Sequence, residues 1–394
     1  MRPLQVATVA ACPFPANRGT PSRIKGIAEA VAARGHRVAV VTYHFGLDVP
    51  TRGIEVRRIR RFPYRHLGPG PTLFKLGVLD PFLLAKLVGL LRRQRFDVIH
   101  AHQFEGALIA QVARRLTGVP VIYDAHTTLA SELPAYRFPS PRRLSEFLDR
   151  QVPRAADHVI AVSDSLRDFL RAQGVPGEKI DVVPMGIEPS DFPVADAGAA
   201  RAECGLPGGR LVMYAGSLDG FQRVDLLIES MQTVFQHAPD SALCLVVSWD
   251  RPEIRSLIDR LGLGGKVTVA VEPRFERVPR YLAASDVVVL PRTECSGVPQ
   301  KLVNYMAAGR AIVSFEGSAK LLQHRRNGLV VPNGDTRAMA GAILELLRDE
   351  GLRSELAATA RKDAIDHYDW AALAGRVEGI YRRTLDAHAR GHDP

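Results

Sequence analysis

Short apolar runs alternate with helix-period segments along this chain, and the alternation runs through twice. Few folds accept that pattern. A strand, a helix and a second parallel strand need a right-handed crossover. Repeated units of this kind build doubly wound α/β domains. In the first unit, residues 4–11 read as a buried strand, Thr20 as the N-cap, Pro21 as the first helical position and Gly35 as the residue past the helix end. Between them Ile24, Ile27, Ala28 and Val31 fall at i, i+3, i+4 and i+7, one helix face. Residues 38–42 are the next strand.

The spacing predicts further strands at 97–101, 119–123, 158–163 and 179–184, with a helix at 106–116. Residues 189–209 have little periodicity, are rich in Pro, Gly, Ala and Asp, and read as a linker. Strands then return at 211–215, 242–247, 266–271, 286–290, 311–315 and 329–331. Helical patterns at 335–348, 352–365 and 370–389 close the chain. Two successive Rossmann-like domains are expected, residues 1–188 and 189–369, facing a central cleft. Such sheets bind ligands at the carboxyl ends of their strands, so the loops there are where chemistry belongs.

Composition narrows the class. Hydrophobic residues make up 46% and charged residues 24%, which fits a globular chain with a full core and excludes disorder. No apolar run reaches the roughly 18–20 residues of a membrane span. Cys12, Cys204, Cys244 and Cys295 are scattered without metal spacing, and residues 1–11 carry no cleavable signal pattern. Reduced thiols in a cytoplasmic protein are expected. The net charge of +10 is uneven: residues 1–95 hold 17 Lys/Arg against 4 Asp/Glu, the rest 35 against 38. Nucleic acid, phosphorylated ligands or an anionic membrane would each suit that basic quarter. The segment lacks regular aromatic interleaving and any nucleic-acid motif, so no nucleic acid is expected.

Five segments could carry chemistry. The loop 12–19, with Asn17, Arg18 and Gly19, leads into a helix N-terminus, which favours an anion; an ordinary βα turn also fits. Asp124 and His126 follow a strand, where a histidine beside a carboxylate can hold an oriented tautomer or move a proton, or simply make a structural hydrogen bond. His100 and His102 also end a strand, one expected to face the cleft and the other the core. No convincing third ligand accompanies them, so no metal is expected. Residues 216–223 again precede a helix N-terminus. Residues 292–304 supply Arg292, Glu294, a turn at Gly297, and Lys301, which suits a ligand bearing phosphate and hydroxyls, or a solvated loop.

At these residues the chain resembles family 4 glycosyltransferases of the two-domain GT-B fold, of the cell-envelope or exopolysaccharide type. The resemblance runs from the first strand to about residue 385. It is carried by Arg34-Gly35-His36-Arg37-Val38, Asp97-Val98-Ile99-His100-Ala101-His102, Ala156-Asp157-His158-Val159-Ile160-Ala161-Val162-Ser163 and Val183-Pro184-Met185-Gly186-Ile187-Glu188. Tyr214-Ala215-Gly216-Ser217-Leu218, Val224-Asp225-Leu226-Leu227-Ile228, Asn304-Tyr305-Met306-Ala307-Ala308-Gly309 and Asn327-Gly328-Leu329-Val330-Val331 continue it in order.

The resemblance implies a retaining transfer from a nucleotide-diphosphate sugar, the substrate rather than a cofactor, to a glycan, lipid-linked or small-molecule acceptor. It implies that the helix at 370–394 crosses back onto the first, acceptor-side domain, and that the second domain binds the nucleotide sugar. Gly19 then approaches the donor phosphate, and His126 and Glu294 meet the sugar. Three positions depart from the family pattern: Ser217 and Gln222 stand where basic residues are usual, and Asn304 where a glutamate is. The segment 216–222 is similar to a subgroup pattern Gly-(Asn/Ser)-Leu-x-x-(Tyr/Phe)-Gln, which reads as a lineage variant. The diphosphate then falls to Arg223, Arg292 and Lys301, with Lys301 also catalytic; Gly216, Ser217, Val298 and Asn304 are expected around the nucleotide and ribose. Asn17, Arg18, His102 and Asp124 are expected on the acceptor side. A 2-epimerase-like isomerase and an inactive nucleotide-sugar-binding partner protein are the alternatives. Residues 52–96 carry eleven basic side chains and the apolar stretch 81–91, a combination suited to an anionic membrane face, or to a buried helix with exposed arginines.

Overall fold

Strands buried on both faces read as near-continuous apolar runs, and here most of them do. In the computed structural model, which describes residues 2–16, 19–63, 70, 72–130, 133, 141–193, 196–272, 274–295 and 297–390, every strand lies in one of two parallel sheets. The chain divides into two units, Met1–Gly186 with Trp370–Pro394, and Ile187–Asp369.

The first unit runs β1 (Gln5–Ala10), α1 (Gly19–Ala33), β2 (Arg37–Thr42), β3 (Ile54–Arg58), a π-helical turn (Lys75–Leu79), α2 (Asp80–Arg93), β4 (Val98–His102), α3 (Gln103–Thr117), β5 (Val121–Ala125), α4 (Arg142–Ala155), β6 (His158–Ala161), α5 (Asp164–Ala172) and β7 (Ile180–Val182). Its seven strands are ordered β3-β2-β1-β4-β5-β6-β7, so the order reverses between β1 and β4. Register sets Thr42 opposite Ala10, Ala10 opposite His102, and His102 opposite Asp124. These residues form one rung at the carboxyl edge of the sheet.

The second unit runs α6 (Ala197–Cys204), β8 (Arg210–Ala215), α7 (Val224–His237), β9 (Ser241–Val247), α8 (Pro252–Arg260), β10 (Val267–Val271), α9 (Val278–Ala284), β11 (Val287–Leu290), α10 (Gln300–Ala307), β12 (Ala311–Phe315), β13 (Leu329–Val331), α11 (Thr336–Arg348) and α12 (Glu350–Tyr368). Its order is β10-β9-β8-β11-β12-β13, with the reversal between β8 and β11. The last helix, α13 (Trp370–Arg390), packs on α1 in the first unit. Its Trp370 indole fills the space beside Gly26, where a Cβ would lie 2.2 Å from Trp370 Cε2.

Ile24, Ile27, Ala28 and Val31 are buried together, against Val377, Ile380 and Tyr381 among others. Two local expectations are corrected, at 197–204 and at Thr20; one strand is added, and the alternative left open at 81–91 is decided. Residues 54–58 are a strand that the sequence pattern hid, because Glu55, Arg57 and Arg58 break the apolar run of this edge strand. Residues 197–204, within the expected linker, are a helix whose N-terminus is capped by the Asp196 carboxylate accepting from Ala199 N–H at 2.7 Å. Thr20 lies inside α1 rather than at its cap. The stretch 81–91 is largely a core helix: Leu83, Leu87, Val88, Leu90 and Leu91 are buried.

Candidate functional site

In the first unit, polar groups converge where β4 and β5 end and α1 begins. Arg23, one turn into α1, is completely buried and points under the sheet edge. Its Nε donates to both Asp124 oxygens at 3.1 and 3.0 Å, its Nη1 to Pro184 O at 2.8 Å and its Nη2 to Val183 O at 2.9 Å. Burial would raise the Asp124 carboxyl, but Arg23 and the surrounding histidines hold it well below the usual range. The carboxylate in turn faces three imidazoles: His100 Nε2 and His102 Nδ1 at 3.4 Å, His126 Nε2 at 3.5 Å. Tyr381, from α13, closes the back with its hydroxyl 2.7 Å from His100 Nδ1.

His100 and His102 do not split between cleft and core. In a strand, i and i+2 share a face, and the two rings stack with centroids 4.3 Å apart, both fully buried. His102 and Asp124, expected on the acceptor side, present no side-chain surface to solvent. Only His126 among these reaches the surface, with 11% of its side chain exposed, beside a small hollow lined also by Gln103, Phe104, Tyr123 and Leu129. Burial lowers His126 to about 4, with Asp124 pulling the other way, so the ring is neutral. Burial also keeps His102 well below its usual value.

His100, His102 and Asp124 bring ligand atoms within 4.8 Å of one another. The arrangement does not fit a metal. Stacked rings do not aim their lone pairs at one point, and Arg23 already holds both oxygens of the carboxylate with a positive charge.

Gly19 opens α1, and nothing lies within 4 Å of where its Cβ would be. Asn17 and Arg18 lie outside the described residues.

In the second unit, the loops after β8 and β11 meet around Lys301 on α10. Its ammonium donates to Tyr214 Oη at 2.7 Å and to Gln222 Oε1 at 2.9 Å, and sits 4.5 Å from the Tyr214 ring centroid. Among the described residues no carboxylate lies within ion-pair distance of it. Burial, and then the Arg292 charge, lower Lys301 from 10.5 to about 7. The space for the ammonium exists because residue 216 is glycine: a Cβ there would lie 2.3 Å from Nζ. Tyr214 is itself fixed by donating to Ser217 O at 2.6 Å.

Arg292 stacks its guanidinium 4.9 Å from the centroid of the exposed Phe221 ring, and its Nε donates to the Glu294 carbonyl. The Glu294 side chain is exposed. Arg223 has φ +54° at the start of α7, and its guanidinium is paired with Asp225 at 3.0 Å, so its charge is partly answered. Val298 is half-buried, while Asn304 is buried, its Oδ1 accepting from Gln300 at 3.1 Å. The structure therefore brings together Gly216, Ser217, Lys301 and the loop of Arg292, and it sets Asn304 back inside the helix packing.

Sequence reasoning missed Arg23, Tyr381, Tyr214 and Gln103. A charged residue beside the apolar face of α1 was the one visible signal, and Arg23 is next to Ile24. The tyrosines read as ordinary core.

The comparisons agree with this geometry. A model of the glycosyl transferase 4-like domain matches residues 18–186, and one of the glycosyl transferases group 1 matches residues 209–349. The D-inositol 3-phosphate glycosyltransferase of Thermobispora bispora is 25% identical over 386 residues, covering 91% of this chain and 88% of that protein. Among solved structures, sucrose-phosphate synthase from Thermosynechococcus elongatus has a TM-score of 0.78 at 20% identity, covering 98% of this chain and 100% of that one. HepE of Anabaena, solved in complex with UDP-glucose, has a TM-score of 0.74 at 20% identity over 96% of this chain and 100% of its own. The chain belongs to the glycosyltransferases, of the GT-B fold and the family 4 type.

Proposed function

We propose that this glycosyltransferase takes its sugar from a nucleotide-diphosphate donor and transfers it with retained anomeric configuration to a glycan, glycolipid or small-molecule acceptor. The observation that carries the reading is the state of two cations. Lys301 and Arg292 lie at the carboxyl ends of β8 and β11, where the strand order reverses, and among the described residues neither has a carboxylate partner. A desolvated ammonium bonded only to neutral oxygens is costly, and an anionic ligand relieves that cost. A diphosphate also places charge where the N-terminus of α7 favours it.

In this reading the second unit holds the donor. Lys301, Arg292, Arg223 and the backbone at Gly19 stabilise the departing diphosphate. Gly216, Ser217 and Val298 bound the nucleotide, with Asn304 behind them. His126 and Glu294 orient the reacting sugar. Retention needs no protein nucleophile if the leaving phosphate takes the acceptor hydroxyl's proton; the protein supplies position and charge. Side-chain cations fill the role a metal would otherwise have. The first unit receives the acceptor. The enzyme works in the cytoplasm, at the anionic inner face of the cell membrane, against which residues 52–96 rest.

A panel of α-linked nucleotide-diphosphate sugars, with release of nucleoside diphosphate followed by chromatography and the product anomer by NMR, tests the reading. An α-linked product supports it. A β-linked product, epimerisation of the donor, or binding without turnover overturns it. Lys301→Ala should lose on the order of 2–4 kcal/mol of transition-state stabilisation, and near-wild-type turnover or strict dependence on a divalent ion would remove that assignment.

A further inference from the structure

Gln103, the first residue of α3, has φ +59°, a left-handed conformation that a non-glycine residue adopts only at a cost. The side chain held there has a definite task. Its Nε2 donates to Thr20 Oγ1 at 2.9 Å, and the same Oγ1 lies 3.3 Å from His126 Nδ1. Three chain segments meet in this contact: the start of α3, the first turn of α1, and the residue after β5.

The proton directions along the chain follow from which groups cannot donate. Asp124 is ionised and only accepts, and it lies 3.5 Å from His126 Nε2 and 3.4 Å from His102 Nδ1. His126 Nε2 also lies 3.4 Å from His102 Nδ1. A neutral His126 carries one proton, and the nearby carboxylate charge draws it to Nε2, which makes His102 Nδ1 its acceptor. His126 Nδ1 is then an acceptor. The Gln103 amide N–H enters Thr20 Oγ1 as a donor, which leaves the threonine hydroxyl proton for His126 Nδ1. The result is one directed series: Gln103 N–H to Thr20 O, Thr20 O–H to His126 Nδ1, His126 Nε2–H to His102 Nδ1, with the Asp124 carboxylate 3.5 Å from Nε2. Every donor meets an acceptor. With both ring nitrogens engaged, His126 is locked in tautomer and orientation rather than poised to exchange protons.

We propose that Thr20 and Gln103 are positioning residues that fix the tautomer and ring plane of His126 for sugar transfer. The proposal rests on the reading of His126 as a sugar-facing residue, and the left-handed backbone at Gln103 is retained because it aims the amide at Thr20. Two consequences are specific. Gln103→Gly removes the amide while relieving the backbone, so it should hold or raise the melting temperature and still slow transfer. Thr20→Val removes the hydroxyl at nearly constant volume, and Thr20→Ser keeps it.

The test combines kinetics with imidazole 15N spectroscopy of the full-length protein, His126→Asn assigning the resonance. Expected are a wild-type signal of a Nε2-protonated tautomer, and a fall in kcat of about 10- to 100-fold in Thr20→Val and Gln103→Gly, the scale of misplacing a group by an ångström. Donor KM should stay within about twofold, the His126 signal should shift toward a tautomer mixture in both variants, and Thr20→Ser should restore both readouts. An unchanged His126 signal in Thr20→Val and Gln103→Gly overturns the proposal, whatever their rates. So does wild-type kcat in both. If Thr20→Val does not fold, Gln103→Gly decides alone. Full transfer by His126→Asn would instead overturn the sugar-facing role, while the spectra still decide whether Thr20 and Gln103 lock the ring.

Discussion

The ammonium of Lys301 lies 2.9 Å from the side-chain oxygen of Gln222, a residue 79 positions earlier, two before the start of α7. Gln222 stands where the family pattern has a lysine. The Lys301 pKa is depressed from 10.5 to about 7, burial being the main cause and the Arg292 charge the next.

The sign of that depression makes a prediction. Unfolded Lys301 binds its proton up to about pH 10.4, whereas the folded lysine releases it near 7. Between those values the unfolded chain holds more protons, so this group's contribution to stability rises with pH across that window and is least favourable below 7. Lys301→Met should therefore melt higher than wild type at pH 6, with the difference shrinking toward pH 10. In the same variant donor affinity should fall at all pH values. Differential scanning fluorimetry across pH, with and without donor, checks both; a less stable variant at pH 6 would contradict the first.

Two glycines of the second unit should respond differently to alanine. At Gly216 the new Cβ meets the end of a flexible side chain, Lys301 Nζ at 2.3 Å. The lysine can swing away, and φ +158° adds a modest backbone cost, so the variant should keep its fold with a slightly lower melting temperature while donor KM rises about 10- to 100-fold, the scale of a hydrogen bond to a charged group. At Gly317 the new Cβ meets backbone, 1.6 Å from Thr293 O and 2.4 Å from its carbonyl carbon. The segment carrying Arg292 and Glu294 must then shift, and Ser318, which donates to Arg292 O at 2.7 Å, must let go. Gly317→Ala should lose about 1–3 kcal/mol of stability, as overpacking does, together with donor affinity. Denaturant titration and steady-state kinetics distinguish the two patterns.

The Arg23–Asp124 pair predicts a stability signature. Both side chains are completely buried, 3.0 Å apart. Arg23→Met leaves a buried, unpaired carboxylate and should cost about 3–5 kcal/mol. The double variant Arg23→Met/Asp124→Leu should be less destabilised than Arg23→Met alone. Acid acts on the same cluster in two steps. His126 titrates at 6.5 unfolded and at about 4 folded, so stability should fall as pH drops across that interval. Asp124, depressed by Arg23, contributes stability that is present above its unfolded value and lost as pH falls through its folded one. Urea denaturation from pH 7 to pH 3 measures this, and a flat profile between 6.5 and 4 would exclude the first step.

The membrane reading predicts salt-sensitive attachment. In that reading the apolar groups offered to lipid are not those of α2, which are largely buried, but Leu73, Phe74 and Leu76, exposed by 76%, 36% and 39%. Nearby, Arg60 caps the Phe62 and Phe82 rings at 5.1 and 4.3 Å. Co-sedimentation with anionic vesicles should exceed that with neutral vesicles, fall at high salt, and weaken in Leu73→Ser/Phe74→Ser. Equal binding to both vesicle types, or none to anionic ones, removes the membrane from the account and leaves a soluble acceptor.

What the sequence determined by itself is what repeats locally. The buried strands are apolar runs of the right length, and the face of α1 appears as Ile24, Ile27, Ala28 and Val31 because helical geometry is the same in every protein. The loops after β8 and β11 were legible as ligand loops because the fold class dictates which strand ends bind. The sequence did not show β3, whose edge position tolerates Glu55, Arg57 and Arg58 in place of an apolar run. Nor did it show that His100 and His102 stack within the core, or that Asp124 answers an arginine 101 positions away. Partnerships such as Arg23 with Asp124, Lys301 with Gln222 and Thr20 with His126 join residues whose separations in sequence follow no period. Only the register of the sheets and the packing of helices onto them bring such pairs within hydrogen-bond reach, and the energy of a buried charge depends on that reach rather than on the residue's own chemistry.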